Sequence, residues 1–156
     1  MPMSNKSRVG IDTNILVYGL NESSLYYRQA RGIFGKFVEQ GVQAVVTWQN
    51  MAEFYAIVTD VKRFPMALSP LRVERWIENN LDGGTFQLEF PTLSAGEVFL
   101  KLIKQIKPVG QKVHDVFLAA TLLSNGVKTL ITENKEDFAG IKGLKAVDLE
   151  GYSFKD

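Results

Sequence analysis

Residues 8–18 read Arg-Val-Gly-Ile-Asp-Thr-Asn-Ile-Leu-Val-Tyr (RVGIDTNILVY), an apolar run interrupted by three consecutive polar side chains. Val9 and Ile11 supply the apolar residues of a short first strand, predicted over 8–12, which ends in the carboxylate of Asp12. Polar residues directly after a strand are typical of a turn, a helix cap or a ligand site. The rest of the chain decides between these interpretations.

Similar short apolar runs recur along the chain and alternate with longer helical segments. Further strands are predicted at 43–47, 85–90, 128–132 and 146–149, and helices at 25–40, 49–62, 69–81, 94–107, 113–124 and 135–138. This alternation predicts an α/β fold in which helices flank a parallel sheet of roughly five strands. The chain has 156 residues and no linker, which predicts one domain over 1–156 with its core motifs between 8 and 149.

Composition excludes several classes of site. There is no cysteine and only one histidine, so disulfides, zinc–thiolate sites and histidine-rich metal sites are excluded. The net charge of +1 provides no overall field for nucleic acid, so any polyanion must be held by a local basic patch. Met1 to Arg8 does not resemble a targeting signal, and no apolar stretch approaches the roughly 20 residues of a membrane span. We therefore expect a cytoplasmic protein without a membrane partner.

Four acidic residues lie at or just after the predicted carboxyl ends of strands or at the head of a helix. They are Asp12, Glu53, Asp115 and Asp137. Each has an ordinary interpretation by itself, as a helix cap or as a solvated surface residue, and Asp60 competes with Glu53 on the same helix. Ligands of parallel sheets bind beyond the carboxyl ends of the strands, so one shared site explains all four acids together.

The expected chemistry of such a site follows from its ligands. Carboxylates without cysteine or several histidines favour Mg²⁺ or Mn²⁺. These ions polarise phosphoryl oxygens, activate water and stabilise a leaving oxygen. The sequence therefore predicts metal-assisted hydrolysis of a phosphodiester.

Four segments resemble, in order, the motifs of PIN-domain nucleases. They are GIDTNILVY (10–18), TWQNMAE (47–53), VHDVFLAAT (113–121) and LITENKEDF (130–138). The single-domain length is similar to that of the VapC-like toxins of toxin–antitoxin pairs. The resemblance implies an endoribonuclease that depends on Mg²⁺ or Mn²⁺, with an RNA substrate, a small antitoxin partner and a homodimeric state.

Residue by residue, the resemblance implies a catalytic set and an overlapping set of metal ligands. The catalytic set is Asp12, Glu53, Asp115, Asp137 and the strand-end hydroxyl of Thr132. The metal set is Asp12, Glu53, Asp115, Asn134 and Asp137. Two features depart from the family pattern: Glu133 stands where these toxins often carry a basic residue, and the stretch from Lys62 to Pro91 is longer than in the leanest members.

Other functions compete with the nuclease. A non-catalytic PIN-like domain that binds RNA or protein is one alternative. A phosphatase of the haloacid-dehalogenase type is disfavoured, because its second aspartate is replaced by Asn14. A dinucleotide enzyme is disfavoured because no glycine-rich phosphate motif follows a strand.

Several further residues have both a functional and an ordinary interpretation. His114 is expected on the surface or in packing, Trp48 and Trp76 in core or interface packing rather than base stacking, and Arg28 and Arg31 on a solvated face. Lys112 could equally meet a phosphate or solvent. A partner groove or the core could hold Phe34, Phe37, Phe54, Tyr55 and Phe64.

Overall fold

The computed structural model describes residues 7–154, so the first six and last two residues of the predicted domain lie outside the described residues. The prediction that Met1 to Arg8 is no targeting signal falls almost entirely in that part. The strands are β1 (Arg8–Ile11), β2 (Gln43–Thr47), β3 (Phe86–Glu89), β4 (Thr129–Ile131) and β5 (Lys145–Val147). The helices are α1 (Thr13–Tyr18), α2 (Tyr27–Gln40), α3 (Trp48–Val58), α4 (Pro70–Asp82), α5 (Ala95–Ile106), α6 (Lys112–Ser124) and a 3₁₀ helix (Lys135–Phe138).

The strands form one parallel sheet in the order β3-β2-β1-β4-β5. Strand β1 is central, with Gly10 in register with Val45 of β2 on one side and Leu130 of β4 on the other. The chain builds outward from β1 through β2 and β3, and then returns to the other side for β4 and β5. The predicted α/β fold is confirmed, and the strand order reverses at β1, where parallel sheets bind ligands.

The two faces of the sheet carry separate apolar cores. Val9 and Ile11 of β1 face a core that includes Phe37 of α2 and Phe54 of α3. The opposite core contains Leu130 of β4 and most of α6, whose side chains are buried from Leu118 through Leu122. The predicted burial of this nearly all-apolar helix is confirmed.

Local sequence signals explain where several helices begin and end. The Thr47 hydroxyl accepts a hydrogen bond from the Asn50 backbone N–H, and the Asn50 side-chain oxygen accepts one from the Thr47 backbone N–H, which forms a capping box at α3. Ser69 caps α4 and Pro70 occupies its first turn. Gly41 ends α2 with a φ of 65°, a conformation that favours glycine.

The boundaries differ from the predictions at three helices. Helix α1 was not predicted, since six residues are too few to show a helical period. Helix α3 ends at Val58 rather than near Lys62, and α2 begins at Tyr27 without a side-chain cap from Ser23 or Ser24. Val38 of α2 is 74% exposed, although it is apolar.

The five aromatic residues, for which a partner groove and the core were both open interpretations, lie mostly in the core. Phe37, Phe54 and Phe64 are buried, and Phe34 packs against the same core at ring distances of 6.4 Å from Phe37 and 5.2 Å from Phe86. Of the five, only Tyr55 is exposed, at 39%. The rings of the four phenylalanines lie on the side of the sheet that is covered by α2 through α4, and they form part of the core there.

The two tryptophans have different environments. Trp76 packs against Phe54 and Phe86, with ring centroids 4.5 and 5.9 Å apart, which confirms the predicted core packing. Trp48 is 47% exposed and meets the ring of Phe90 edge-on at 6.0 Å.

Within residues 7–154, no helix has the length and apolar character needed to cross a membrane.

Candidate active site

The predicted acids meet in one pocket at the carboxyl edge of the sheet, beside the end of β1. The pocket has a volume of about 960 Å³, and its walls include Asp12, Glu53, Asp115, Asn134 and Asp137. The competing acid, Asp60, lies after the end of α3 and does not line the pocket; its carboxylate accepts a hydrogen bond from the Lys62 backbone N–H at 2.9 Å. The structure thus brings together all the residues predicted to supply metal ligands.

Asp12 is the most buried of these carboxylates. It follows β1 and caps α1: Oδ1 accepts a hydrogen bond from the Thr13 N–H at 2.8 Å, and Oδ2 accepts one from the Thr132 hydroxyl at 2.6 Å. Burial, together with smaller contributions from the negative charges of Glu53 and Asp115, raises the pKa of Asp12 from 3.8 to about 6, although the two hydrogen bonds lower it. Its charge is therefore poorly compensated by the described part of the protein.

Thr132 lies beneath the pocket and is fully buried. Its hydroxyl donates to Asp12 and accepts from the Asn134 backbone N–H at 3.0 Å and the Asn14 side-chain amide at 3.3 Å. One oxygen at the end of β4 therefore orients Asp12 and two further polar residues. In this structure Thr132 is a positioning residue and not a pocket wall.

Glu53 lies one turn into α3, and a polar chain of contacts connects it to β2. Its carboxylate accepts a hydrogen bond from the Thr13 hydroxyl at 3.1 Å, and the same hydroxyl accepts one from the Asn50 side chain at 3.1 Å. Asn50 is itself held by the backbone and hydroxyl of Thr47, both at 2.9 Å. The capping box of α3 therefore also fixes the position of Glu53.

Asp115 lies in the first turn of α6, at the end of that helix nearest the pocket. Burial raises its pKa, with a further contribution from the charge of Asp137, and Lys112 acts in the opposite direction. The helix dipole favours a carboxylate at this end, by less than about 1 kcal/mol. That contribution is too small to explain by itself an acid at the head of a buried helix.

Asp137 and Lys112 form the one cation–acid contact in this pocket among the described residues. The Lys112 ammonium lies 3.4 Å from the Asp137 carboxylate, and both side chains remain partly exposed. Asp12, Glu53 and Asp115 have no ion-pair partner within residues 7–154. Three of the four acids therefore face the pocket without a compensating cation.

Sequence reasoning missed several polar residues of this site. The Asn14 side-chain oxygen is buried without a hydrogen-bond partner in the described part of the chain, and so is that of Gln49; both residues line the pocket. Thr13 and Asn50 connect Glu53 to the strands. The spacing of Thr47 and Asn50 could have indicated the capping box from the sequence. No sequence pattern indicates the long-range contacts of Asn14 and Gln49.

Two further residues that the sequence analysis singled out, His114 and Glu133, can be compared with their positions. His114 is exposed at the pocket rim, in agreement with the surface interpretation, and its backbone carbonyl accepts a hydrogen bond from Gln49 at 2.8 Å. Glu133, the residue that departs from the family pattern, accepts a hydrogen bond from the Leu149 N–H at 2.9 Å. An acid at position 133 therefore anchors the segment after β5.

The donor set fits a hard divalent cation that keeps part of its water shell. All candidate ligands are oxygens, and the unpartnered Asn14 oxygen adds a neutral one. Within residues 7–154, no three acidic or histidine side chains are grouped closely enough to hold an ion by themselves. Mg²⁺ is compatible with such a site, since it is commonly held by one or two carboxylates together with water and substrate phosphate.

Comparison by sequence identifies no relative: no protein-family model matches the chain, and no curated protein matches it. Comparison of folds gives several solved structures. One chain of VapBC-1 from nontypeable Haemophilus influenzae is 23% identical, with a TM-score of 0.64 over 92% of this chain and 98% of that one. A toxin–antitoxin complex from Klebsiella pneumoniae matches at 22% identity and a TM-score of 0.61, over 92% and 99% of the two chains.

The chain shares the α/β fold of these solved structures, which agrees with the PIN-like fold that the sequence resemblance implies. A third similar structure is VapC20 of Mycobacterium tuberculosis, described as a Sarcin-Ricin loop cleaving toxin. It is 11% identical, with a TM-score of 0.60 over 88% of this chain and 98% of that one. At these identities the comparisons show a shared fold, and the activity has to be argued from the site itself.

Proposed function

We propose that this protein is a Mg²⁺-dependent endoribonuclease, with Mn²⁺ as a possible substitute, that hydrolyses RNA phosphodiesters at the acidic pocket. One observation carries the proposal: four acids from separate elements share a pocket, and three of them have no cationic partner within residues 7–154. The Asp12 carboxylate is largely buried, and a buried carboxylate without a partner is costly unless a cation is bound. Asp115 is half-buried and Glu53 is exposed, and their negative charges add to that of Asp12. The solved structure with a similar fold that is described as a Sarcin-Ricin loop cleaving toxin supports the same function.

The residues of the chain have separable tasks in this proposal. Asp12, Glu53 and Asp115, with Asn134 or Asp137, would hold the ion; bound there, it would polarise the scissile phosphate and activate a water molecule. Thr132 and Thr13 hold the Asp12 carboxylate in one orientation before substrate arrives. Lys112 places a positive charge at the rim, next to Asp137, where an RNA phosphate can approach.

The test is RNA cleavage in Mg²⁺ against EDTA, with Asp12→Asn and Asp115→Asn as variants. We expect both variants to fold, judged by circular dichroism, and to lose cleavage by at least about 100-fold, the scale on which enzymes lose rate when charge stabilisation is removed. Asp60→Asn is the matched control, because this acid of the same region lies outside the pocket. Full activity in either folded pocket variant, or undiminished cleavage in EDTA, would refute the assignment.

The alternative of a non-catalytic PIN-like domain is not favoured. A binding module has no need for carboxylates that repel the phosphates of its ligand. Here the acids remain in place, and Thr132, Thr13 and Asn50 orient two of them. The cleavage assay also tests this alternative, since a binding module would bind RNA and leave it intact.

We further propose that the protein is the toxin of a toxin–antitoxin pair. Similar folds occur in complexes described as VapBC and as toxin–antitoxin assemblies, including VapBC2 of Rickettsia felis bound to promoter DNA. The unpaired carboxylates of the pocket would accept an arginine from a small antitoxin, because a guanidinium binds a carboxylate through two hydrogen bonds. Co-expression with a neighbouring small gene tests this: failure to co-purify and to suppress cleavage contradicts the toxin role only.

The homodimeric state and the cytoplasmic location remain predictions. Phe90 and Leu93, which follow β3, and Leu100 of α5 expose apolar side chains, as does Trp48. Exposed apolar surface of this kind is compatible with self-association. Light scattering of the purified protein across a dilution series distinguishes a dimer from a monomer.

A further inference from the structure

The pocket extends beyond the carboxylates, along α1 and α3. The α3 residues that line it run from Gln49 to Ile57, which spans about 12 Å of helix axis and exceeds the size of a single phosphate group. The walls of the same pocket also contain Val17 and Tyr18 of α1, and Arg63 from the turn after α3. These side chains are apolar, aromatic and cationic, in contrast to the carboxylates.

Tyr18 is held in place without being enclosed. Its ring packs against that of Tyr26, with centroids 5.0 Å apart and planes inclined by 39°. The side chain remains partly exposed, and it lines the same pocket as Asp12. An aromatic ring supported in this way can accept a stacked base at little cost in side-chain entropy.

Arg63 supplies the charge that the rest of this wall lacks. Its backbone N–H bonds to the Asp60 carbonyl at 3.0 Å, and its side chain is exposed without an ion-pair partner within residues 7–154. By contrast, Lys112 at the other rim contacts Asp137. A guanidinium free of protein carboxylates in an otherwise acidic pocket is complementary to a phosphate.

We propose that Tyr18, Arg63 and the apolar side chains of Val17 and Ile57 form a nucleotide subsite for single-stranded RNA, in which the ring of Tyr18 stacks on a base and Arg63 binds the adjoining phosphate. The inference rests on the proposed nuclease function, because it places this nucleotide next to the phosphate at the acidic centre. Single-stranded RNA is the class that offers an unstacked base, whereas a duplex keeps its bases paired. The subsite gives the enzyme contact with a base as well as with the backbone.

The test measures binding rather than cleavage, in EDTA and at low salt. Two fluorescent probes are compared by anisotropy: a single-stranded RNA hexanucleotide and the same ribose–phosphate chain without bases. We expect the wild-type protein to bind the RNA about tenfold more tightly than the abasic chain, as one stacked base predicts. Tyr18→Leu should abolish this preference and Tyr18→Phe should preserve it.

Arg63→Ala tests the phosphate contact independently. It should weaken binding of both probes by a similar factor of about 10, whereas Lys62→Ala, the neighbouring charge outside the pocket, should change either affinity less than twofold. Because Arg63 is exposed, this variant is expected to fold even if Tyr18→Leu is destabilised.

Equal binding of the two probes by the wild type, or an unchanged preference in folded Tyr18→Leu, would overturn the subsite. So would variants that bind RNA normally but release a co-expressed antitoxin, since this wall would then belong to a protein partner. Base-dependent binding without any cleavage in Mg²⁺ would support the subsite and refute only the nuclease.

Discussion

At the scale of single residues, Asp12 shows how this site departs from what folding alone would select. Its carboxylate is buried against β1 and β4, and two hydrogen bonds orient it without neutralising it. Folding therefore raises its pKa from 3.8 to about 6. Because the pKa of Asp12 is higher in the folded state than in the unfolded state, the folded protein binds more protons at this group. Protonation therefore favours folding at low pH, and this contribution to stability is lost as the pH rises through about 6.

We expect Asp12→Asn to stabilise the metal-free protein at neutral pH. A shift from 3.8 to about 6 corresponds to a cost of about 3 kcal/mol at pH 7, part of which the variant should recover. Urea unfolding in EDTA should show a gain of about 1–3 kcal/mol at pH 7.5 and little gain at pH 4. Asp82→Asn, at the exposed end of α4, is the control; equal destabilisation of Asp12→Asn at both pH values would contradict the prediction.

Thr132 acts at the same scale through geometry rather than charge. Thr132→Val keeps the shape of the side chain and removes the oxygen shared by Asp12, Asn14 and Asn134. Because buried partners are left unsatisfied, we expect a loss of about 1–3 kcal/mol in unfolding free energy, and a fall in kcat larger than any change in KM. Thr132→Ser should restore most of both, and Thr129→Val on the same strand serves as control; a Val variant with wild-type kcat would exclude the positioning role.

At the scale of secondary-structure elements, the sequence predicted those with a long or clear pattern. The apolar run of α6 and the Ser69–Pro70 start of α4 were correct because each signal is local. Helix α1 was missed because its six residues, Thr13–Tyr18, are too few to show a helical pattern of apolar residues. The aromatic residues of α2 and α3 were ambiguous, since sequence does not show which faces the sheet will cover.

The contact between β1 and α6 offers a test at this scale. A Cβ at Gly10 would lie 2.9 Å from the Leu122 side chain and 3.3 Å from the Thr129 carbonyl, so the sequence GIDTN needs glycine for close packing. We expect Gly10→Ala to destabilise the fold by about 1–3 kcal/mol through overpacking. Leu122→Val should rescue part of that loss in the double variant.

The control for this substitution is a glycine that has room for a side chain. An added Cβ at Gly35 within α2 would meet nothing within 4 Å. Gly35→Ala should therefore stabilise the protein by up to about 1 kcal/mol, from the helix propensity of alanine. Thermal and urea unfolding of the three variants measure these effects, and a neutral Gly10→Ala would show that α6 shifts freely.

At the scale of the whole molecule, topology explains why the acids were predictable and their partners were not. Parallel strands place their carboxyl ends at one edge, so acids after β1, β2 and β4 could be expected to meet there. No comparable rule of topology predicts that Asn14, Arg63 and Tyr18 line the pocket. Their roles depend on which loop lies over which helix, and on contacts such as that between Asn14 and Thr132, which are 118 residues apart.

The overall charge leads to a prediction about salt. The basic side chains number 18 and the acidic ones 17, so the net charge is only +1, and the cations that line the pocket are Arg63 and Lys112, with the single histidine His114. Single-stranded RNA binding changes with salt by a log–log slope of about −0.7 for each phosphate contact, so two contacts predict a slope near about −1.4.

Arg63→Ala should reduce that slope to about −0.7, because one phosphate contact remains, and Lys62→Ala should leave it unchanged. Anisotropy titrations of the RNA hexanucleotide over a series of salt concentrations measure both values. A wild-type slope near about −4 would require some six phosphate contacts, more than this pocket can supply. Binding would then involve a larger surface of the molecule. The prediction of two phosphate contacts would be wrong, even if the pocket performs the hydrolysis.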